Sequence, residues 1–284
     1  MNIMVTGANG GYGKLALQHL LKLAPQDVKL FALVRKEEYA QAWREQGVEV
    51  RIGDYADADS MIKALQGIDR LLFVSVPTPN IQQNVVEAAK INGVKFIAYT
   101  SIFGVDGEKG GLEINHGQTE AWIRQSGIAH TFLRNNWYLE VHEELAKFAH
   151  KTGKFYHYAG DKPISGALKT DYAEAGAKVI LSDFKREIIN LTGKPYTYAE
   201  FAQALSEVYQ QAFDVQDKSR EEVEKWLDDE NVTGVPRFII TTYQNITAKG
   251  NNGEEFADPS EFEEILGRKL PSLADALRTF LVQK

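Results

Sequence analysis

The chain contains no cysteine, which removes disulfides, thiolate metal sites and a cysteine nucleophile together, and no metal is expected. It also lacks any apolar run near the roughly 20 residues that a bilayer-spanning helix needs. The N-terminus enters a strand with neither a basic leader nor a cleavage site, so the expectation is a cytoplasmic protein with no membrane partner. Positive charge is in deficit: 32 Lys and Arg against 39 Asp and Glu leave a net charge of −7. Nucleic-acid binding needs clustered cations, so no such partner is expected. The most acidic stretch, 220–230, alternates in sign as a solvated helix does. With 44% hydrophobic and 25% charged residues over 284 positions, the chain reads as an ordinary folded protein, long enough to bury a sizeable core.

What the sequence does have is concentrated in its first thirteen residues. An apolar run from Ile3 to Val5 feeds a loop with glycines at 7, 10 and 13. Gly7 suits a tight turn out of a strand, Gly10 lets a pyrophosphate approach the main chain, and Gly13 lets the next helix lie close to the sheet. Leu15, Leu17, Leu20, Leu21 and Leu23 then follow helical spacing over 12–23. A dinucleotide-binding loop formed by Gly7, Asn9, Gly10, Gly11, Tyr12 and Gly13 is the expectation, with the phosphates facing the free N–H groups of the helix. A glycine turn that binds nothing is the competing reading.

Strand and helix signals then alternate. The pattern predicts strands over 2–6, 29–35, 48–52, 70–75, 94–100 and 130–134, with helices near 12–23, 36–46, 59–66, 80–92 and 115–126. Runs such as Leu71-Leu-Phe-Val74 are apolar at consecutive positions, as in strands covered on both faces. The fold class that follows is α/β: a Rossmann-like, doubly wound parallel sheet with a smaller, mostly helical C-terminal lobe. The domain division expected is 1–134 for the dinucleotide-binding part, with a helix capped by Asp171 and a strand over 187–191 returning to it within 167–192. Residues 135–166 and 193–284 would form the smaller substrate lobe. Thr197-x-x-Glu200, Ser219-x-x-Glu222 and Ser260-x-x-Glu263 read as capping boxes opening helices there.

The end of the second strand discriminates between the two nicotinamide cofactors, since an acidic group there favours NAD. Here the strand ends in Arg35, whose guanidinium can pair with a 2′-phosphate, so NADPH is favoured and NADH is the weaker option. A solvated arginine is the alternative. Asp54 and Tyr55 follow the third strand, where Asp54 either accepts from the adenine amine or serves as a turn residue. Ser75, Val76 and Pro77 follow the fourth, under the ribose on the nicotinamide side.

The chain resembles the NmrA-like branch of atypical short-chain dehydrogenases, and within it the bacterial NADPH-dependent quinone oxidoreductases and triphenylmethane-dye reductases. The resemblance rests on Thr6-Gly-Ala-Asn-Gly-Gly-Tyr-Gly13, Gly47-Val48, Gly53-Asp-Tyr55, Val94-Lys-Phe-Ile-Ala-Tyr-Thr-Ser101, Leu133-Arg-Asn-Asn-Trp-Tyr138, Thr170-Asp-Tyr-Ala173 and Leu266-Gly-Arg268. Most short-chain dehydrogenases add to a serine, here Ser101, a tyrosine and a lysine four residues later. This chain instead reads His116-Gly-Gln-Thr-Glu120, two residues one helical turn apart that could touch. No catalytic residue stands out. His116 is a candidate proton source, against a histidine bonded locally.

A quinone or cationic dye needs no enzymic proton in the hydride step, so orientation would suffice. Asn135, Trp137 and Tyr138 would clamp the aromatic acceptor, a role the resemblance also implies; packing aromatics are the alternative for Trp137 and Tyr138. The expected function is NADPH-dependent hydride transfer to a quinone-like acceptor. The alternative is a non-catalytic NAD(P)-sensing regulator of the NmrA type that binds a protein partner. Nothing in the sequence bears on oligomeric state.

Overall fold

A computed structural model describes residues 1–183 and 186–282; residues 184–185 of the returning segment and 283–284 of the expected C-terminal lobe lie outside the described residues. Seven strands form one parallel sheet. In chain order they begin with β1 (Asn2–Val5), β2 (Lys29–Val34), β3 (Glu49–Ile52), β4 (Arg70–Phe73), β5 (Phe96–Ile102) and β6 (Ala129–Asn135). The strand β7 (Lys154–His157) lies elsewhere, and β8 (Ile188–Leu191) completes the sheet in the order β3-β2-β1-β4-β5-β6-β8. The order reverses between β1 and β4, which opens a crevice at the carboxyl ends of the strands.

Alternation explains why both faces are covered. Ile3, Val5, Leu72, Ala98 and Leu133 bury into one layer, and Met4, Leu71, Phe73, Ile97, Tyr99 and Phe132 into the other. Successive side chains of a strand point to opposite faces, so a consecutive apolar run demands helices on each side. Along the chain these are α1 (Gly11–Leu23), α2 (Gln41–Arg44), α3 (Ala58–Ala64), α4 (Gln82–Ile91) and α5 (Leu112–Ser126). The expected helix over 36–46 is instead a 3-10 turn at Glu37–Tyr39 followed by α2.

Next come α6 (Glu143–Thr152), α7 (Lys169–Leu181) and α8 (Tyr198–Tyr209), then β9 (Asp214–Asp217), which pairs in parallel with β7. The chain continues through α9 (Arg220–Asp229), α10 (Gly234–Lys249), α11 (Ser260–Leu266) and α12 (Leu273–Leu281). Trp137, Phe155, Tyr198, Phe201 and Trp226 lie in a separate core beneath α6, α8, α9 and α10.

The Thr197 and Ser219 capping boxes are both formed. The third is not: Ser260 is already the first helical residue, and Asp258 accepts its N–H at 2.9 Å. Asp171 does not cap α7 either. It lies in the first turn, drawn to Arg268 at 2.7 Å, while the N–H of Lys169 is taken by the Glu140 carboxylate at 3.0 Å.

A buried ion pair fastens the helical region to the sheet. Lys109, from the loop between β5 and α5, meets Glu254 at 2.8 Å with side chains 0% and 2% exposed. Glu254 also accepts from Asn136 (2.9 Å) and from the Ser165 hydroxyl (2.5 Å). Around it the loops 103–111 and 250–256 touch backbone to backbone: a Cβ on Gly107 would lie 2.7 Å from the Asn251 carbonyl. Lys109→Met leaves Glu254 charged and buried, so it is expected to cost about 3–5 kcal/mol in denaturant unfolding. Adding Glu254→Gln is expected to recover most of that loss, and a double variant no more stable than the single one would disprove the coupling.

Candidate functional site

The glycine loop sits at the crevice. Gly7 adopts φ +58°, and the Gly10 N–H closes back on its carbonyl at 2.8 Å. Gly10 precedes α1 with no side-chain cap, so the first N–H groups of the helix are left for an outside acceptor. A Cβ on Gly10 would lie 3.2 Å from the Gly7 carbonyl, and one on Gly13 would collide with it. These absences shape a cradle that fits a phosphate group. Asn9 and Gly11 are exposed beside it. Tyr12 contributes main chain only, since its phenol donates to the Tyr172 carbonyl at 3.1 Å and its ring fills the space left by Gly176.

Arg35 is the first residue after β2, not the last residue of the strand as its sequence suggests. It is exposed at the cleft and has no hydrogen-bond or ion-pair partner among the described residues. The neighbouring carboxylates are occupied, Glu37 by Arg44 and Glu38 by Lys36 at 3.6 Å. Asp54 lines the cleft, yet its carboxylate accepts the Ala56 N–H at 2.9 Å, which is the turn role. Tyr55 also lines it while holding the fold together: its phenol bridges the Thr6 hydroxyl (2.5 Å) and the Val74 carbonyl (2.7 Å), tying together the ends of β1, β3 and β4.

The main chain at Ser75, Val76 and Pro77 is held from below. The Ser75 N–H reaches the Thr100 hydroxyl at 2.8 Å, the Val76 N–H reaches Gln82 at 3.1 Å, and Asn115 donates to the Val76 carbonyl at 2.8 Å. Gln82 is 0% exposed and also lies near the Tyr99 phenol, which hydrogen-bonds to Nδ1 of His116 at 3.0 Å. His116 and Glu120 do not pair as their spacing suggests. Glu120 accepts from Ser101 (2.6 Å) and from Arg134 (3.0 and 2.8 Å), so Ser101 is engaged in the fold although it lines the cleft.

At the far end stand Asn135, Trp137 and Tyr138. Asn135 is buried, and its amide lies beside the Tyr12 and Tyr138 phenols without a well-aligned hydrogen bond to either. Buried amides are rarely left unsatisfied, and one held this loosely leaves hydrogen-bonding capacity at the cleft. Trp137 packs edge-on against Tyr243 at 5.1 Å, and Tyr138 packs against Tyr172 at 5.3 Å, its phenol pKa raised by burial. Tyr243, from α10, joins the lining together with Ile81, Leu112 and Val141. No local pattern in the sequence marks Tyr243, which is brought in from more than 100 residues away by the second core. The cleft encloses about 690 Å³, within the range of cofactor and ligand pockets. It places Gly7, Asn9, Gly10, Gly11, Tyr12 and Gly13 at one end, Arg35, Asp54 and Tyr55 beside them, and Ser75, Val76, Pro77, Ser101 and His116 on the way to the aromatic end. No group of residues that could hold a metal occurs among the described residues, and no described helix is long and apolar enough to cross a membrane.

The NAD(P)H-binding family matches residues 7–162. Quinone oxidoreductase 2 of Escherichia coli is 32% identical over 281 residues, covering 97% of each chain. The NmrA-like family domain-containing oxidoreductase flvB of Aspergillus flavus is 25% identical over 296 residues, covering 100% of this chain and 96% of its own. The crystal structure of Citrobacter sp. triphenylmethane reductase complexed with NADP(H) superposes with a TM-score of 0.87 at 32% identity, covering 98% of this chain and 99% of that one.

Burial pulls the imidazole of His116 down to about 4, against the opposing charge of Glu120, and likewise brings His142, caged by Tyr198, Phe201 and Tyr243, to about 4. Both are neutral at pH 7. Between these values and the ordinary 6.5, the unfolded chain takes up protons that the folded chain declines, so stability falls as pH drops through that window. Denaturant unfolding is expected to show a decline from pH 6.5 to 5, and His142→Phe is expected to make it shallower. An unchanged slope in the variant would assign the decline to other groups.

Proposed function

Because the chain belongs to the NAD(P)H-binding, NmrA-like family, we propose that it is an NADPH-dependent reductase whose acceptor is a quinone-like aromatic ring. The observation that carries the reading is a single cleft. A phosphate-shaped glycine cradle and the unpaired Arg35 occupy one end, and a chamber lined by Trp137, Tyr138 and Tyr243, with no carboxylate among its described lining residues, occupies the other. The nicotinamide supplies the hydride when bound. Gly7, Asn9, Gly10, Gly11, Tyr12 and Gly13 form the main-chain bed for the pyrophosphate, and Arg35 pairs with the 2′-phosphate. The rims at Asp54–Tyr55, 75–77 and Ser101 supply shape and fixed backbone polarity. Asn135 offers its loosely held amide to polar groups, and Trp137, Tyr138 and Tyr243 hold a flat ring against it.

The chemistry of this end favours an acceptor that needs no proton with the hydride. Burial keeps the phenols of Tyr99 and Tyr138 protonated, and no lysine among the described residues hydrogen-bonds to either. His116 is neutral at pH 7 and is held by Tyr99. A quinone that accepts the hydride becomes a stabilised hydroquinone anion, so positioning supplies the rate; a ketone would instead need a proton as its alkoxide forms, and neither the buried Tyr99 phenol nor the neutral His116 is paired with a lysine that would supply it.

The direct test is consumption of NADPH with a 1,4-naphthoquinone. Turnover is expected; intact NADPH binding without turnover would instead favour a sensing role. In single-turnover oxidation, Trp137→Ala is expected to slow the hydride step, while His116→Ala stays well within the roughly 100-fold loss typical of a missing general acid. The reverse pattern would make His116 the acid. Arg35→Ala is expected to weaken NADPH by about tenfold or more while leaving NADH nearly unchanged; equal losses would remove Arg35 from the phosphate site.

A further inference from the structure

A cation outside the glycine loop reaches it from the second half of the chain. Lys169 is the first residue of α7, and its half-buried side chain crosses to the loop: Nζ and Cδ both lie 3.4 Å from where a Cβ on Gly11 would stand. Its ammonium also sits 5.3 Å from the centroid of the Tyr138 ring. No carboxylate pairs with that ammonium among the described residues. Glu140, whose charge Lys169 feels without ion-pair contact, spends its carboxylate on the Lys169 main-chain N–H at 3.0 and 3.1 Å, which fixes the start of α7.

We propose that Lys169 is a pyrophosphate-binding residue, lent to the glycine loop by α7 and admitted by the missing side chain of Gly11. This inference rests on the dinucleotide reading of the cleft. The loop itself offers only N–H groups and the dipole of α1, and no residue from Gly7 to Gly13 carries charge. A pyrophosphate brings two negative charges into a chain whose net charge is already −7. An ammonium held over an aromatic ring, with no carboxylate in ion-pair contact among the described residues, is open to an anion at this spot. Gly11 follows Gly10 at the start of α1, so the position it vacates borders the uncapped N–H groups. The contact between α1 and α7, tight enough for Tyr12 to fill the notch at Gly176, fixes the distance over which Lys169 must reach.

Binding of two nucleotide fragments separates Lys169 from Arg35 without turnover. ADP-ribose carries the pyrophosphate but no 2′-phosphate, and adenosine 2′-monophosphate carries the reverse. By calorimetric titration, Lys169→Met is expected to weaken ADP-ribose about tenfold and to leave adenosine 2′-monophosphate unchanged, with Lys169→Arg retaining most of the affinity. Arg35→Ala is expected to show the opposite selectivity. If Lys169→Met binds ADP-ribose as the parent protein does while Arg35→Ala still loses adenosine 2′-monophosphate, the role of Lys169 falls and the cofactor reading stands. If the parent protein binds neither fragment nor NADPH, the cofactor reading falls and takes this inference with it.

Discussion

The ion pair between Lys109 and Glu254 determines how the two cores of this protein meet. Both charges are out of water, and burial pulls the Lys109 pKa down against the pull of Glu254. A pair of this kind adds little over an apolar contact of the same shape, but separating it strands two charges. That asymmetry makes it a device for specifying one arrangement. Asn136 and Ser165 join the same carboxylate, so the loop after β5, the end of β6, the segment before α7 and the segment after α10 are all defined relative to one buried group. The cleft lies between elements fastened in this way.

From this follows a division of labour among the aromatic residues. Lys109 lies 4.8 Å from the centroid of the Trp137 ring, so the indole that forms the chamber wall is backed by the fastening itself. Tyr55 and Tyr99 line or underlie the opposite wall but spend their phenols on Thr6, Val74 and His116. Their hydroxyls act as struts, while their neighbours at Ser75 and Val76 present fixed main chain. Polar side chains at the cleft are therefore mostly committed, and Arg35 stands out because it makes no hydrogen bond or ion pair among the described residues.

Much of this was legible in the sequence, and the reasons are physical. The glycines at 7, 10 and 13 announce the loop because only missing side chains allow that approach, and the consecutive apolar runs announce a sheet covered on both sides. Asn135, Trp137 and Tyr138 are placed by the end of β6. What failed depended on competition between nearby groups. Asp171 has the chemistry of a cap, but Arg268 claims it and Glu140 serves the helix end instead. Ser260 loses its capping role because Asp258 starts the helix one residue earlier. His116 and Glu120 sit one turn apart, yet Arg134 and Ser101 hold the glutamate. Residues brought from afar, Tyr243 and Lys169, leave no local trace, since their neighbours in space are absent from their neighbourhood in sequence.

The turn after β2 carries a further consequence. Within four positions it holds Arg35, Lys36, Glu37 and Glu38, and the two acids are engaged by Arg44 and Lys36. The guanidinium of Arg35 is thus left unclaimed by an internal truce among its neighbours. If Arg35 meets the 2′-phosphate as proposed, its freedom depends on the truce as a whole: a change at Arg44, which does not line the cleft, would release Glu37 as a rival for Arg35. The charge that the cleft presents can in this way be reset by a residue that no inspection of its lining would single out.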